Sequence, residues 1–221
     1  MMAYSIEGAC VDIEFLIMGP IENNVYLISK GEGVIVVDPT QEAHRIMDAL
    51  GERSCIAIVL THRHHDHIGA ASELRDLTGA PVIASAVDAE VISGEAPVPG
   101  SDRPITTCPV GVRVNHGDVI ELGGMPWKVI LTPGHTPGST CFFLDPRFGN
   151  HPEGTPVLIS GDTLFCGAVG RTDFAGGSME DMKHSLKRLA VLPDETLVLP
   201  GHNAQTTIGA ERQRIFARFA I

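Results

Sequence analysis

Ten short apolar, β-branched runs are set against only four stretches of helical periodicity, and that imbalance constrains the fold more than any other feature of the chain. The runs are residues 11–18, 24–29, 34–37, 56–60, 82–84, 112–115, 127–132, 140–144, 157–160 and 196–199, most bounded by turn-forming residues. Apolar residues recur at helical spacing over 41–50, 68–78, 179–192 and 208–219. A doubly wound parallel sheet needs a helix after nearly every strand. With so few helices, two mixed sheets packed together with helices outside are expected instead. The Pro- and Gly-dense stretch 95–109 reads as one long surface loop, not a linker, so residues 1–221 are expected to form a single domain around one core.

Charge and cysteine usage narrow the partners. The chain carries 16 Lys and Arg against 27 Asp and Glu, a net charge of −11. Such a body repels phosphate backbones and shows no basic cluster, so neither nucleic acid nor a membrane surface is an expected partner. The apolar stretch from Phe15 to Met18 follows Asp12 and Glu14 without a basic leader, which is unlike a signal peptide or a membrane span. Cys10, Cys55, Cys108, Cys141 and Cys166 are widely spaced and never form C-x-x-C pairs. Neither a disulfide framework nor a thiolate metal site is suggested, and a reducing, cytoplasmic setting is expected. Ten histidines, together with the acidic excess, point to bound divalent cations.

The sharpest local feature is Thr61-His62-Arg63-His64-His65-Asp66-His67, placed after the run 56–60 and before a helical pattern. In an extended or turning segment His62 and His64 point to one side, while Asp66 and His67 enter the first helical turn and serve an adjacent position. Three further candidates, His135, Asp162 and His202, each follow a glycine at the end of an apolar run, in Pro133-Gly134-His135, Ser160-Gly161-Asp162 and Pro200-Gly201-His202. Alone, each is an ordinary turn residue. Together they share one context, a strand end and a close backbone turn, and so are expected to converge at one sheet edge. The seven donors are nitrogen and oxygen only, which suits zinc first, and also iron or manganese. His62, His64 and His135 make one face, and Asp66, His67 and His202 another. Asp162 and a bridging hydroxide lie between, the arrangement of a two-metal hydrolase.

These segments carry a resemblance. Thr-His-x-His-x-Asp-His, Pro-Gly-His-Thr-Pro-Gly-Ser at 133–139, Gly-Asp-Thr-Leu-Phe at 161–165 and the late Pro-Gly-His are similar to the metallo-β-lactamase superfamily over nearly the whole chain. The stretch from Gly161 to Phe174 resembles its short glyoxalase II-like hydrolases. The resemblance implies an αββα sandwich of two mixed β-sheets with outer helices and the metals at one edge. It also implies Asp38 as an acid beside the metals, and Arg171 as a contact for the thiol portion of a substrate. A salt bridge from Arg171 to Asp173 is the structural alternative. The function expected is a metal-dependent thioesterase acting on an acyl-thiol such as S-lactoylglutathione, with Asp66 and Asp162 holding the attacking hydroxide.

Departures from the family's pattern sort its branches. Dizinc β-lactamases commonly place Cys at a second-metal position, where His67 and Asp162 stand here, which counts against antibiotic hydrolysis. Flavodiiron proteins carry Glu at the position of His64 and append a flavin domain. RNA-processing members bring a basic arm that this chain lacks. A persulfide dioxygenase stays open, because it resembles the same Gly-Arg-Thr-Asp-Phe segment and uses one iron at the positions of His62, His135 and Asp162. A metal-dependent binding protein without catalysis is the reading from another class. Full-length glyoxalase II enzymes add a C-terminal helical domain that grips glutathione. Only 19 residues follow His202, so no such domain is expected. His65 is expected to point away from the metals, His44, His116, His151 and His184 to be solvated or capping, Trp127 to be core, and Cys166 to be a small buried hydrophobe.

Overall fold

A computed structural model describes residues 3–31, 33–100, 102–148 and 153–220. The first sheet runs in chain order through β1 (Tyr4–Ile6), β2 (Asp12–Met18), β3 (Asn23–Ser29), β4 (Gly33–Val37), β5 (Ser54–Val59), β6 (Val82–Ser85) and β7 (Val112–Val114). Pairing is antiparallel as far as β4 and parallel from β4 to β7. The chain then makes β8 (Val119–Leu122), β9 (Met125–Leu131), β10 (Thr140–Leu144) and β11 (Val157–Gly161). A small hairpin of β12 (Leu164–Phe165) and β13 (Ala168–Val169) follows, and the chain returns as β14 (Leu197–Pro200) and β15 (Thr206–Thr207). The second sheet has the order β15-β14-β11-β10-β9-β8, mixed because β11 and β14 are parallel.

Strand alternation builds three layers of core. In β4, Ile35 and Val37 face the second sheet, packing with Trp127, Val129, Phe142 and Ile159, whereas Val34 and Val36 face the outer helices. A wholly apolar strand is what two buried faces require. Outside the first sheet lie α1 (Ala43–Leu50), α2 (His65–Ile68), α3 (Ala71–Thr78) and α4 (Ala86–Ile92). Helix α1 seats Ala43, Ile46 and Leu50 on Leu27, Val36 and their neighbours, and each fully buried Ile or Leu contributes about 2 kcal/mol. Outside the second sheet, α5 (Met179–Leu189) buries Met182, Leu186 and Leu189 with Phe143 and Val198. Ile215 and Phe216 of the C-terminal helical segment join that cluster. The result is the expected αββα sandwich.

All ten expected strands form, with ends shifted by at most two residues, and Trp127 is core at 1% exposure. Several features differ from expectation, the first being five short strands outside the ten expected runs, β1, β8, β12, β13 and β15. The helix expected over 68–78 is two helices broken at Gly69, where a β-carbon would overlap the Thr40 carbonyl oxygen, so the chain turns there against the β4 loop. The stretch expected to be helical over 208–219 starts as α6 (Ile208–Glu211), opens into a π-turn over Arg212–Phe216, and closes as α7 (Ala217–Phe219). Helix α4 was not expected. It is short, and its start is marked by Ser85, whose Oγ accepts the Asp88 N–H at 3.2 Å. The stretch 95–109 carries no helix or strand among its described residues.

Candidate metal centre

The strand order aims six segments at one edge of the sandwich. Parallel pairing of β4 with β5 and of β11 with β14 turns four C-terminal strand ends the same way, and these deliver Asp38, residues 61–67, Asp162 and His202. The start of β3 adds Asn23 and the β9–β10 turn adds His135. Two glycines allow the approach. At Gly161, with φ +48°, a β-carbon would overlap the Thr61 hydroxyl, and at Gly201 it would lie 2.5 Å from both Asp162 Oδ1 and His67 Cε1.

All seven predicted donors come together. His62, His64 and His135 each offer a nitrogen within 4.8 Å of the others, and Asp66, His67 and His202 form a second such group. Asp162 lies between them, with Oδ1 3.3 Å from His67 Nε2 and Oδ2 3.5 Å from His135 Nε2 and 3.7 Å from His202 Nε2. His64 Nδ1 and His135 Nε2 stand 2.8 Å apart. His62 Nε2 and Asp162 Oδ1 are buried without a hydrogen-bond partner. Buried polar atoms left so, with imidazole nitrogens facing one another, fit a divalent cation better than any arrangement of protons. The donors thus fit two ions sharing a carboxylate, and no thiolate is among them.

Asp38 holds both faces from behind. Its Oδ1 accepts the Thr61 N–H at 2.8 Å, and its Oδ2 accepts the Thr61 hydroxyl at 2.7 Å and faces His67 Nδ1 at 2.8 Å. The Thr61 hydroxyl in turn lies 3.1 Å from His62 Nδ1, so one carboxylate orients two imidazoles. Asp38 does this in a left-handed backbone conformation, φ +49°, which is uncommon for a residue with a β-carbon and often found where function demands it. His135 Nδ1 lies 2.7 Å from the carbonyl oxygen of Arg171, and His202 Nδ1 3.1 Å from that of Ile21.

Electrostatics differ between the two faces. Burial, reinforced by neighbouring imidazoles, pushes His62 well below its ordinary value and His64 down to about 3, so both stay neutral and available as donors. Burial also disfavours charge on Asp66, His67 and His202, but here it is outweighed. The His202 hydrogen bond and His67 hold Asp66 below the usual carboxylate range. Asp162, then Asp38 with its hydrogen bond, raise His67 to about 10, and Asp66 and Asp162 raise His202. Without a cation, protons on this second face offset its carboxylates.

Several participants carried no sequence signal. Asn23 Nδ2 donates to Asp66 Oδ2 at 3.0 Å and lies 3.3 Å from His202 Nε2. Buried Arg63 pairs with Asp88 at 3.1 Å, and Asp88 also accepts the Arg63 N–H, the Thr136 hydroxyl and the Gly138 N–H. That ion pair ties the 61–67 loop to the His135 turn. Only the Ser85-x-x-Asp88 cap could have drawn attention to Asp88.

Arg171 lines the adjoining cavity but forms the salt bridge with Asp173, at 2.9 and 2.7 Å, and its guanidinium lies 4.3 Å from the Phe174 ring centre. The cavity, about 770 Å³, is also walled by Ile21, Gln41, Arg103, Phe165 and Phe174. His65 belongs to neither donor group and sits on the cavity wall, 3.4 Å from Asp66 Oδ1. His44 is exposed beside Glu73, His184 is exposed, His116 Nδ1 accepts the Leu131 N–H, and His151 lies outside the described residues. Cys166 departs from expectation. It is exposed, because the chain reverses there between β12 and β13, and its sulfur lies 3.8 Å from Arg214.

Comparison with known proteins agrees with this geometry. A family profile described as metallo-beta-lactamase superfamily matches residues 18–202. A probable metallo-hydrolase, YqgX of Bacillus subtilis, is 32% identical over 89% of this chain and 92% of its own length. The hydroxyacylglutathione hydrolase GloC of Haemophilus influenzae is 29% identical over 92% and 96%. Among solved structures, the B3 metallo-beta-lactamase BLEG-1 superposes with a TM-score of 0.80 at 31% identity, covering 92% of this chain and 98% of that one. TTHA1623 in a di-iron-bound form gives 0.73 at 35%, covering 90% and 96%. ETHE1 from Myxococcus xanthus gives 0.76 at 29%, covering 94% and 84%.

Proposed function

The chain belongs to the metallo-beta-lactamase superfamily, and from that footing we propose that it is a two-metal thioesterase of the glyoxalase II type, cleaving an acyl-thiol such as S-lactoylglutathione. The observation that carries this reading is the place of Asp162, whose two oxygens reach His67 on one face and His135 on the other, at 3.3 and 3.5 Å. A carboxylate so placed would be able to hold two ions at once. The likeness to a hydroxyacylglutathione hydrolase and to a di-iron-bound neighbour supports it.

Two divalent ions, zinc first, with iron or manganese suited to the same donors, would supply an activated water and a positive charge for the carbonyl oxygen. The chain's own groups do the rest. Asp66, held ionised, or Asp162 accepts a hydrogen bond from the attacking water and so aims its lone pair at the thioester carbon. No group is needed to protonate the leaving thiolate, whose conjugate acid has a pKa near ~8.5. The cavity's apolar wall, Ile21, Phe165 and Phe174, takes the acyl-thiol, and Arg171 stands where an anionic part of the thiol carrier would lie. In this reading the substrate is a small cytoplasmic molecule, and neither nucleic acid nor a membrane takes part.

The competing reading is a persulfide dioxygenase with one iron at His62, His135 and Asp162, supported by the likeness to ETHE1. Metal content and product decide between them. Two ions per chain and thiol release from S-lactoylglutathione are expected. One iron per chain with oxygen uptake on glutathione persulfide would move the assignment to the dioxygenase. β-Lactam cleavage is measured beside them because of BLEG-1, and a loaded protein inert on every substrate would leave a binding protein.

A further inference from the structure

Four of the five histidines that converge at the site turn Nδ1 outward onto a neighbour, namely the Thr61 hydroxyl, the Asp38 carboxylate and the carbonyls of Arg171 and Ile21. Their Nε2 atoms face the centre. His64 is reversed: its Nδ1 faces inward, 2.8 Å from His135 Nε2, and its Nε2 faces outward, buried and without a hydrogen-bond partner. The atom it meets is Asp102 Oδ1, 3.9 Å away, which is itself buried and without a partner. The Asp102 side chain is 4% exposed and held from its other side, where Oδ2 accepts Arg63 Nε–H at 3.2 Å. Two buried, unsatisfied groups of complementary chemistry therefore face each other across a gap slightly too long for a hydrogen bond.

We propose that Asp102 is a positioning residue for His64 and that it couples the loop 95–109 to the ion held by His62, His64 and His135. A ligating Nδ1 must be bare, which places the ring hydrogen on Nε2, and a ligating imidazole needs an acceptor for that hydrogen. Asp102 Oδ1 is the group placed to take it. A shift of less than 1 Å closes the gap. Because Asp102 and Arg103 wall the cavity together with His64, the same closure settles the cavity wall when the ion arrives. A disordered or displaced 95–109 loop would, reciprocally, weaken metal binding. The inference rests on the metal reading of this face and is independent of which thioester, if any, is cleaved.

The test uses the 221-residue protein stripped of metal, with zinc as the probe and Asp102→Ala and Asp102→Glu as variants. Asp102→Ala should weaken zinc binding at one of two sites by about 10- to 100-fold, with the other site unchanged. Asp102→Glu, which keeps a carboxylate oxygen for Arg63 and one for His64, should recover most of that loss. Zinc should slow amide hydrogen exchange across 95–109 in wild type and Asp102→Glu but not in Asp102→Ala. Should Asp102→Ala fail to fold, wild type alone decides: the zinc-loaded protein should show a downfield, exchange-protected Nε2–H resonance that His64→Gln removes. Unchanged zinc affinity in Asp102→Ala, an equal loss in Asp102→Glu, or no such resonance overturns the proposal while leaving the metal centre standing. Wild type that takes up no divalent ion overturns both.

Discussion

Asp38 illustrates how one residue governs a site it does not have to ligate. Its two oxygens take up the Thr61 backbone, the Thr61 hydroxyl and the His67 ring. Asp38→Ala should weaken metal binding by about 10- to 100-fold and cost about 3 kcal/mol of stability, because it strands a buried N–H and removes a charged acceptor. Competition against a zinc chelator and urea unfolding measure the two losses, and an Asp38→Ala protein with native values for both would remove it from the site. Arg171 separates its backbone from its side chain: the carbonyl orients His135, whereas the guanidinium engages exposed Asp173. Arg171→Ala should leave metal content intact. If the guanidinium also meets the substrate, KM rises with kcat little changed, and an unchanged KM assigns the side chain to Asp173 alone. Of these roles, the seven donors were legible as a spaced pattern of His and Asp. Asn23, Asp88 and Asp102 were not, since a single Asn or Asp in a loop has the same appearance whether it faces solvent or a buried imidazole.

At the scale of elements, the short α2 carries Asp66 and His67 into place, and its position depends on Gly69. A methyl there would overlap the Thr40 carbonyl, which is backbone and cannot swing aside. Gly69→Ala should displace α2, cost about 1–3 kcal/mol and lower the metal content, as read by thermal unfolding and elemental analysis. Native melting and full metal would mean that the loop after β4 yields instead. The continuous 3.6-residue periodicity across 68–78 conceals this break, because apolar spacing reports which face is buried and not whether a neighbouring chain passes close enough to need a glycine. The same reason explains the missed α4, whose seven residues, Ala86–Ile92, are too short to display a period.

For the whole molecule, the carboxylates at the shared edge make the metal-free protein sensitive to pH. His67 is raised from 6.5 to about 10 by Asp162 and Asp38, against the effect of burial, and His202 is raised as well. A group whose pKa is higher folded than unfolded stabilises fully below its unfolded value and loses that contribution as pH climbs through the folded one. His62 and His64, both lowered, are neutral in either state above pH 6.5 and drop out of that window. The metal-free protein should therefore lose stability from about pH 6.5 to 10, and metal should restore it, since the ion replaces the proton as counter-charge. Chelation at neutral pH should lower Tm by roughly 10 °C relative to protein with ion at about a thousandfold over Kd. A melting temperature indifferent to both chelator and alkaline pH would mean that neither proton nor ion balances these carboxylates.

The strand-rich pattern and the donor set were determined by sequence alone, because both are carried by residue type and spacing: alternation fixes which strands have two buried faces, and few other roles bring His-x-His-x-Asp-His to a strand end. The directions were decided only in the tertiary structure. Whether an imidazole offers Nε2 or Nδ1 inward, which carbonyl or carboxylate takes its other nitrogen, and that Arg63 points into a buried pair with Asp88 depend on contacts between segments 25 to 181 residues apart. Such contacts exist only once two sheets have packed and their strand ends meet, and no local propensity encodes them.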